Sequence, residues 1–191
     1  MLQRPTSHTT APHSQTFEQI YHKHIDALYH YGIKFKANQQ LVEDCIQDLF
    51  ADLWQRPESL SRVKNMRPYL LGALRRKLLK RIYAEKEAPY PEEELNTFFE
   101  VRFADNSEVQ KLFDQEHLLI IHSAFCKLTE KQKEVIYLRF YNQLSFEEIA
   151  EVMSVQTRTI YKLSHRALTV LKEELGPYSS ALQVFILLLN Q

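Results

Sequence analysis

Glycine is scarce in this sequence: three in 191 residues. Glycine-rich phosphate loops, and the tight turns of nucleotide-binding α/β folds, need more than that, so this class of chemistry is excluded. Two cysteines, Cys45 and Cys126, supply neither a four-thiolate zinc site nor a disulfide framework, and a reducing compartment is expected. Long apolar runs are absent too. The longest, Ala181 to Leu189, is too short to cross a bilayer. The first twenty residues have no apolar core, so no signal peptide is expected. The expectation is a cytoplasmic protein without membrane insertion. Net charge is zero, with 24 basic and 24 acidic residues. What is present is ordinary: 45% hydrophobic and 25% charged residues, enough for one domain or two small ones.

The zero net charge hides a segregation. Residues 1–84 hold 13 Lys and Arg against 7 Asp and Glu, 85–116 hold 3 against 10, and 117–191 hold 8 against 7. Basic segments on either side of an acidic middle suggest two working surfaces and a solvated spacer, although an acidic stretch is also satisfied by solvation alone. Periodicity divides the chain the same way. Residues 1–16 are aperiodic and read as a flexible tail. From Phe17 the residues Ile20, Tyr21, His24, Ile25, Leu28 and Tyr29 form a helical stripe that ends near Gly32.

A second helix is expected at 39–55, burying Val42, Cys45, Ile46, Leu49, Phe50 and Leu53. Its other side carries Asp44, Asp48 and Asp52 one turn apart, and like charges at that spacing repel. No lysine or arginine lies between Lys36 and Arg56 to relieve them. A basic partner surface would, and a plain solvated face satisfies the spacing as well. Pro57 stops this helix, 57–66 reads as a loop, and Pro68 fits the first turn of a third helix reaching about 83. Arg75, Arg76, Lys77, Lys80 and Arg81 cluster on it near aromatic residues, a nucleic-acid surface or merely a charged helix face. Residues 85–116, with Pro89, Pro91 and Glu92 to Glu94, form an acidic linker with one short helix around 92–100.

The second domain is placed at 117–175. Leu118, Leu119, Ile121, His122 and Phe125 form an amphipathic helix, and Val135, Ile136, Leu138 and Phe140 give a second apolar set. Thr129 with Gln132 and Ser145 with Glu148 are capping boxes. A short helix at 146–153 follows the second box, with Ser154 and Val155 at its corner. A longer helix at 157–175 buries Ile160, Leu163, Ala167, Leu168 and Leu171. At about 28 Å it presents Gln156, Arg158, Tyr161, Lys162, His165 and Arg166. Short helix, tight corner and longer polar-faced helix make a helix-turn-helix, which can set its second helix in the DNA major groove. The expected fold is all-α: two small helical domains, the second containing the helix-turn-helix, joined by the acidic linker. Residues 176–191 form an apolar tail, whose Leu182 and Val184 to Leu189 dock on the second domain or meet a partner.

From Phe17 to Leu175 the chain resembles RNA polymerase sigma factors of the extracytoplasmic-function class, which keep only the second and fourth conserved regions. LVEDCIQDLFADLW (41–54) is similar to the family's polymerase-binding helix, with Asp44, Gln47, Asp48, Phe50 and Trp54 on its pattern. VKNMRPYLLGALRRKLLKRI (63–82) is similar to the segment that melts the promoter and reads its −10 element. Residues 128–175 are similar to the helix-turn-helix that reads the −35 element. The resemblance implies that residues 17–84 bind core RNA polymerase and the −10 element, and that 117–175 bind the −35 element.

On that basis Asp44, Gln47, Asp48 and Asp52 meet polymerase. Asn65, Arg67, Tyr69, Arg75, Arg76, Lys77 and Lys80 meet DNA on the −10 side. Gln156, Arg158, Tyr161, Lys162, His165 and Arg166 meet it on the −35 side. The partners implied are core polymerase, promoter DNA and an anti-sigma factor, with no cofactor and no metal. Four positions depart from the pattern: Ser154 where glycine is usual, Leu163–Ser164 where Arg–Leu is frequent, and Arg76 where asparagine is frequent. Serine takes the left-handed corner only at some cost, and the second change is able to rotate the buried seam.

Two other functions compete with this one. An ordinary helix-turn-helix regulator whose N-terminal helices dimerise explains 128–175 equally well, but explains the aspartate face poorly. An enzyme would need more than Glu43, Asp44 and Asp48, or than His117 and His122 five residues apart. No base–nucleophile arrangement accompanies these groups.

Overall fold

The computed structural model describes residues 12–35, 37–56, 60, 63–85 and 115–176. The expected linker helix at 92–100 and the apolar tail at 177–191 lie outside the described residues. Seven α-helices are described: α1 (Pro12–Gly32), α2 (Gln39–Gln55), α3 (Met66–Glu85), α4 (Gln115–Cys126), α5 (Glu130–Phe140), α6 (Phe146–Met153) and α7 (Thr157–Leu175). None is long and apolar enough to cross a membrane. Helix α1 starts at Pro12, inside the segment 1–16 expected to be a tail; a proline is tolerated in a first turn because its missing N–H has no helical partner there.

Helices α1, α2 and α3 pack together. Asn38 opens α2 by accepting a hydrogen bond from the Leu41 amide at 2.7 Å, and Leu41, Val42, Cys45, Ile46, Leu49, Phe50 and Leu53 are buried. Gly32 ends α1 at a point of close approach, where a Cβ would lie 2.5 Å from Val42 Cγ1. At the far end of this pair Phe17 meets Phe50 and Trp54 edge to face, with centroids 5.8 and 5.1 Å apart, and Trp54 remains 57% exposed. In the other half, α7 lies against α4, α5 and α6.

One apolar cluster runs through both halves. The join is α3 against α6. Leu74 and Leu78 face the α1–α2 side, while Gly72 faces α6, where a Cβ would come within 3.3 Å of Val152 Cα. Glycine inside a helix costs about 1 kcal/mol relative to alanine, and here it lets two helix backbones touch.

Two helical faces differ from expectation. On α4 the buried residues are Ile121, Ala124 and Phe125, while Leu119 is 69% exposed. On α7 the seam is Ile160, Ser164, Ala167, Leu171 and Leu175, with Leu163 half-buried and Leu168 exposed. The Leu163–Ser164 pair thus turns the helix so that the small serine faces inward.

Candidate polymerase and nucleic-acid interfaces

The helix-turn-helix comprises α6 and α7. Both capping boxes form: Thr129 Oγ1 accepts from the Gln132 amide at 3.3 Å, and Ser145 Oγ accepts from the Glu148 amide at 3.1 Å. The return bonds, from the Thr129 amide to Gln132 Oε1 and from the Ser145 amide to Glu148 Oε2, are both 2.8 Å. Ser154 closes α6 in the left-handed conformation (φ 55°, ψ 45°), and the Val155 amide bonds back to the Ala150 carbonyl at 3.0 Å. This corner aims α7 so that Gln156, Arg158, Tyr161, Lys162, His165 and Arg166 are all exposed. The Tyr161 ring packs on Phe146 at 4.4 Å, and the Arg139 guanidinium covers the Phe146 ring. What remains outward is cationic and hydrogen-bonding, the chemistry that holds phosphates and reads base edges.

On α2, Gln47 and Asp52 are exposed, while Asp44 and Asp48 are half-exposed. No base within α2 relieves the aspartate face, but two on α3 do. Lys77 Nζ lies 2.6 Å from Asp52 Oδ2, and Arg81 Nη2 lies 2.9 Å from Asp48 Oδ2, both contributed by α3. Asp44 accepts from Gln40 Nε2 at 3.0 Å. The Lys77 hydrogen bond, followed by its charge, lowers the Asp52 pKa from the ordinary value. Exposed pairs of this kind contribute about 0–1 kcal/mol, so a competing basic surface can displace them.

The residues expected on the −10 side divide. Arg76 and Lys80 are exposed and Tyr69 is half-buried. Lys77 sits against Asp52, as above. Asn65 donates from Nδ2 to Glu148 Oε1, and Arg67 Nη2 donates to Asn142 Oδ1 at 3.0 Å. Arg67 Nε is buried without a hydrogen-bond partner among the described residues. A cleft of about 690 Å³ lies between the elements, with Lys64, Asn65, Tyr69 and Arg76 on one wall and Glu148 and Glu151 of α6 on the other.

Arg75 requires the clearest correction. The resemblance places it among the residues meeting DNA on the −10 side, but its side chain is 2% exposed. Arg75 Nε donates to Glu134 Oε1 at 2.8 Å and Nη2 to Oε2 at 3.3 Å. Tyr31 donates its hydroxyl to Glu134 Oε1 at 2.5 Å. Burial, and then the Glu134 charge, push the Tyr31 pKa well above the ordinary phenol value, so the hydroxyl keeps its proton. Tyr137 stacks over Tyr31 and Tyr141, with centroids 6.1 and 5.0 Å away.

Sequence reading missed Tyr31, Glu134 and Asn142. A signal for Glu134 was there: α5 is buried on nearly all sides, from Gln132 to Leu138. A carboxylate in such a helix must find a partner. Among the described residues no group of three or more His, Cys, Asp or Glu is placed to hold a metal ion.

An acidic-faced helix, a basic helix and an exposed helix-turn-helix define a helical DNA-binding protein. The chain belongs to the sigma-70 family of RNA polymerase sigma factors, in its extracytoplasmic-function class, and it directs promoter recognition by the polymerase. Residues 20–87 match the family's Sigma-70 region 2 and residues 124–173 match Sigma-70, region 4, together more than half the chain. The dimerising-regulator alternative is not favoured, because region 2 accounts for the N-terminal helices.

The chain is similar to the RNA polymerase sigma factor SigV of Bacillus subtilis (strain 168), 22% identical over 152 residues, covering 80% of this chain and 86% of that one. It is also similar to the RNA polymerase sigma-E factor of Streptomyces antibioticus, 26% identical over 159 residues, covering 83% and 84%. Its fold is similar to the sigma factor RpoE in a complex with the anti-sigma factor NepR from Bartonella quintana. That match has a TM-score of 0.58 and 19% identity, covering 85% of this chain and 98% of that one. A second fold match is CnrH in complex with the cytosolic domain of CnrY, with a TM-score of 0.56 and 21% identity, covering 86% and 90%.

Proposed function

We propose that α2 docks this sigma factor on core RNA polymerase while α3 and α7 address the two promoter elements. The carrying observation is the α7 face, on which Arg158, Tyr161, Lys162, His165 and Arg166 are all presented outward from a capped, sharply turned helix pair. Asp44, Gln47, Asp48 and Asp52 meet basic residues of the polymerase. Asn65, Arg67 and Tyr69 surround a base extruded from the −10 element, a step whose cost of a few kcal/mol stacking and a snug pocket must offset. Arg76 and Lys80 hold phosphates, and Lys77 and Arg75 join them when released from Asp52 and Glu134. The protein is a specificity subunit rather than a catalyst, works in the cytoplasm with its polymerase, and is restrained by an anti-sigma factor. The domain limits 17–84 and 117–175 follow from the same reading.

Reconstitution with core polymerase and run-off transcription tests the function as a whole. The docking face is tested by Asp44→Ala combined with Asp48→Ala. Neither side chain is buried, so far-UV circular dichroism should be unchanged while competition for core polymerase weakens markedly. Undiminished competition by the double variant would remove α2 as the docking surface.

A further inference from the structure

Of the six outward residues named on α7, one has its side chain held in place. The Tyr161 ring packs on Phe146 with centroids 4.4 Å apart and planes tilted by 46°. The side chains of Gln156, Arg158, Lys162, His165 and Arg166 have no partner among the described residues. Phe146 is held in turn. Arg139 Nη1 donates to the Leu144 carbonyl at 2.8 Å, and its guanidinium carbon lies 4.9 Å from the Phe146 ring centroid, within cation–π reach. The Leu144 amide donates to the Leu138 carbonyl at 3.2 Å, so the turn that Arg139 grips is itself pinned to α5. We propose that Arg139 and Phe146 are positioning residues for Tyr161, and that the ring so held reads the methyl group of one thymine in the −35 element. The proposal rests on the sigma-factor reading above and names a specificity determinant within it.

The ring, rather than the hydroxyl, carries this assignment. Base edges in the major groove are matched by paired donors and acceptors or, for thymine, by an apolar contact with its methyl group. A phenol has no such pair, but its ring is apolar. Tyr161 is 51% exposed, with one side against Phe146 and the other open to solvent. It lies three residues after Arg158 and four before His165, so all three share one face of α7, opposite the seam of Ile160, Ser164 and Ala167. A long cationic chain on this face must give up rotamer freedom when it meets a base. The Tyr161 ring has already given up much of that freedom to Phe146. Weakening Phe146 or Arg139 therefore leaves Tyr161 in its place on α7 but frees its ring, and discrimination is lost before general affinity is.

The test uses the full chain with core polymerase, on a promoter identified by run-off transcription. Each thymine of the −35 element is replaced singly by deoxyuridine, which deletes only the methyl group. One of these replacements should weaken wild-type binding roughly fourfold, the value of one buried methyl group. Tyr161→Ala should bind the thymine and deoxyuridine promoters alike, while Tyr161→Phe, which keeps the ring, should discriminate as wild type does. Phe146→Leu and Arg139→Gln should lose discrimination at that same position and read the others as before, and Phe146→Tyr should retain it. No methyl dependence in the wild type, or discrimination surviving in Tyr161→Ala, would overturn the assignment. Equal weakening at every position in the Phe146 and Arg139 variants would overturn their positioning role. Should Phe146→Leu misfold by far-UV circular dichroism, Arg139→Gln and the two variants at the exposed Tyr161 decide the outcome. A wild-type chain that binds no promoter with core polymerase would instead sink the sigma reading, and this proposal with it.

Discussion

Replacing Gly72 by alanine sets two opposing effects against each other. In a helix interior alanine is favoured over glycine by about 1 kcal/mol, so an unhindered site would gain that much. The added Cβ would lie 3.3 Å from Val152 Cα, 3.6 Å from the Val152 carbonyl oxygen and 3.5 Å from Arg76 Nη1. Arg76 is exposed and can swing aside. Val152 cannot yield at its backbone, because the Ser145–Glu148 box and the Ser154 corner fix both ends of α6. Carbon atoms pack best at about 3.5–4.0 Å, so α6 must retreat by a few tenths of an ångström. That retreat strains the bond of Asn65 to Glu148. Overpacking a tight contact costs about 1–3 kcal/mol, which leaves a net loss of about 1 kcal/mol after the helix gain. Urea denaturation of the full chain, followed by far-UV circular dichroism, measures it. Stabilisation by the full helix-propensity gain would show that α6 does not press on α3.

Two further outcomes follow from α6 and α7. Ser154→Gly should stabilise the chain by about 0.5–1 kcal/mol: the left-handed conformation costs a residue with a Cβ about 1–2, and the freer unfolded glycine returns about 0.4–1. Denaturant titration reads this, and a destabilised variant would mean the corner stores no strain. On α7, Arg158→Ala should cost about 1–3 kcal/mol and relax preference at one promoter position, while Arg166→Ala should weaken binding to all sequences alike. A panel of single-base promoter variants separates the two, and uniform loss for both would make α7 a general DNA clamp.

Helices whose limits are set locally were legible in the sequence. α2, α6 and α7 fall at 39–55, 146–153 and 157–175 as expected, because Ser145 and Ser154 are themselves the start and stop of α6, and the stripe of α2 is uninterrupted. What sequence could not supply was the partner of each charge. Asp44, Asp48 and Asp52 lie one turn apart as read, but Asp52 and Asp48 are paired with residues 25 and 33 positions away. Arg75 reads like its neighbours Arg76 and Lys77. It is buried because α3 is covered by α1 and α2 on one side and α6 on another, so most of its circumference faces protein. On α7 the expected Ile160, Ala167 and Leu171 are buried, while Ser164 is buried where Leu163 was expected and Leu168 is exposed. Leu168 is the more apolar residue, yet the 4-3-4-4 spacing of Ile160, Ser164, Ala167, Leu171 and Leu175 fits the packed face, and Ser164 lies on it.

Trp54 is the chain's single tryptophan, at the end of α2 and 57% exposed. Its emission therefore comes from one corner of the molecule, where the indole is wetted on one side and meets the Phe17 ring on the other. A protein laid along α2 excludes water from that indole and shifts its emission to the blue. A ligand confined to α7 leaves its colour unchanged. Unlabelled protein thus carries an optical reporter on α2, the helix proposed to dock on polymerase, separate from the surfaces proposed to contact DNA.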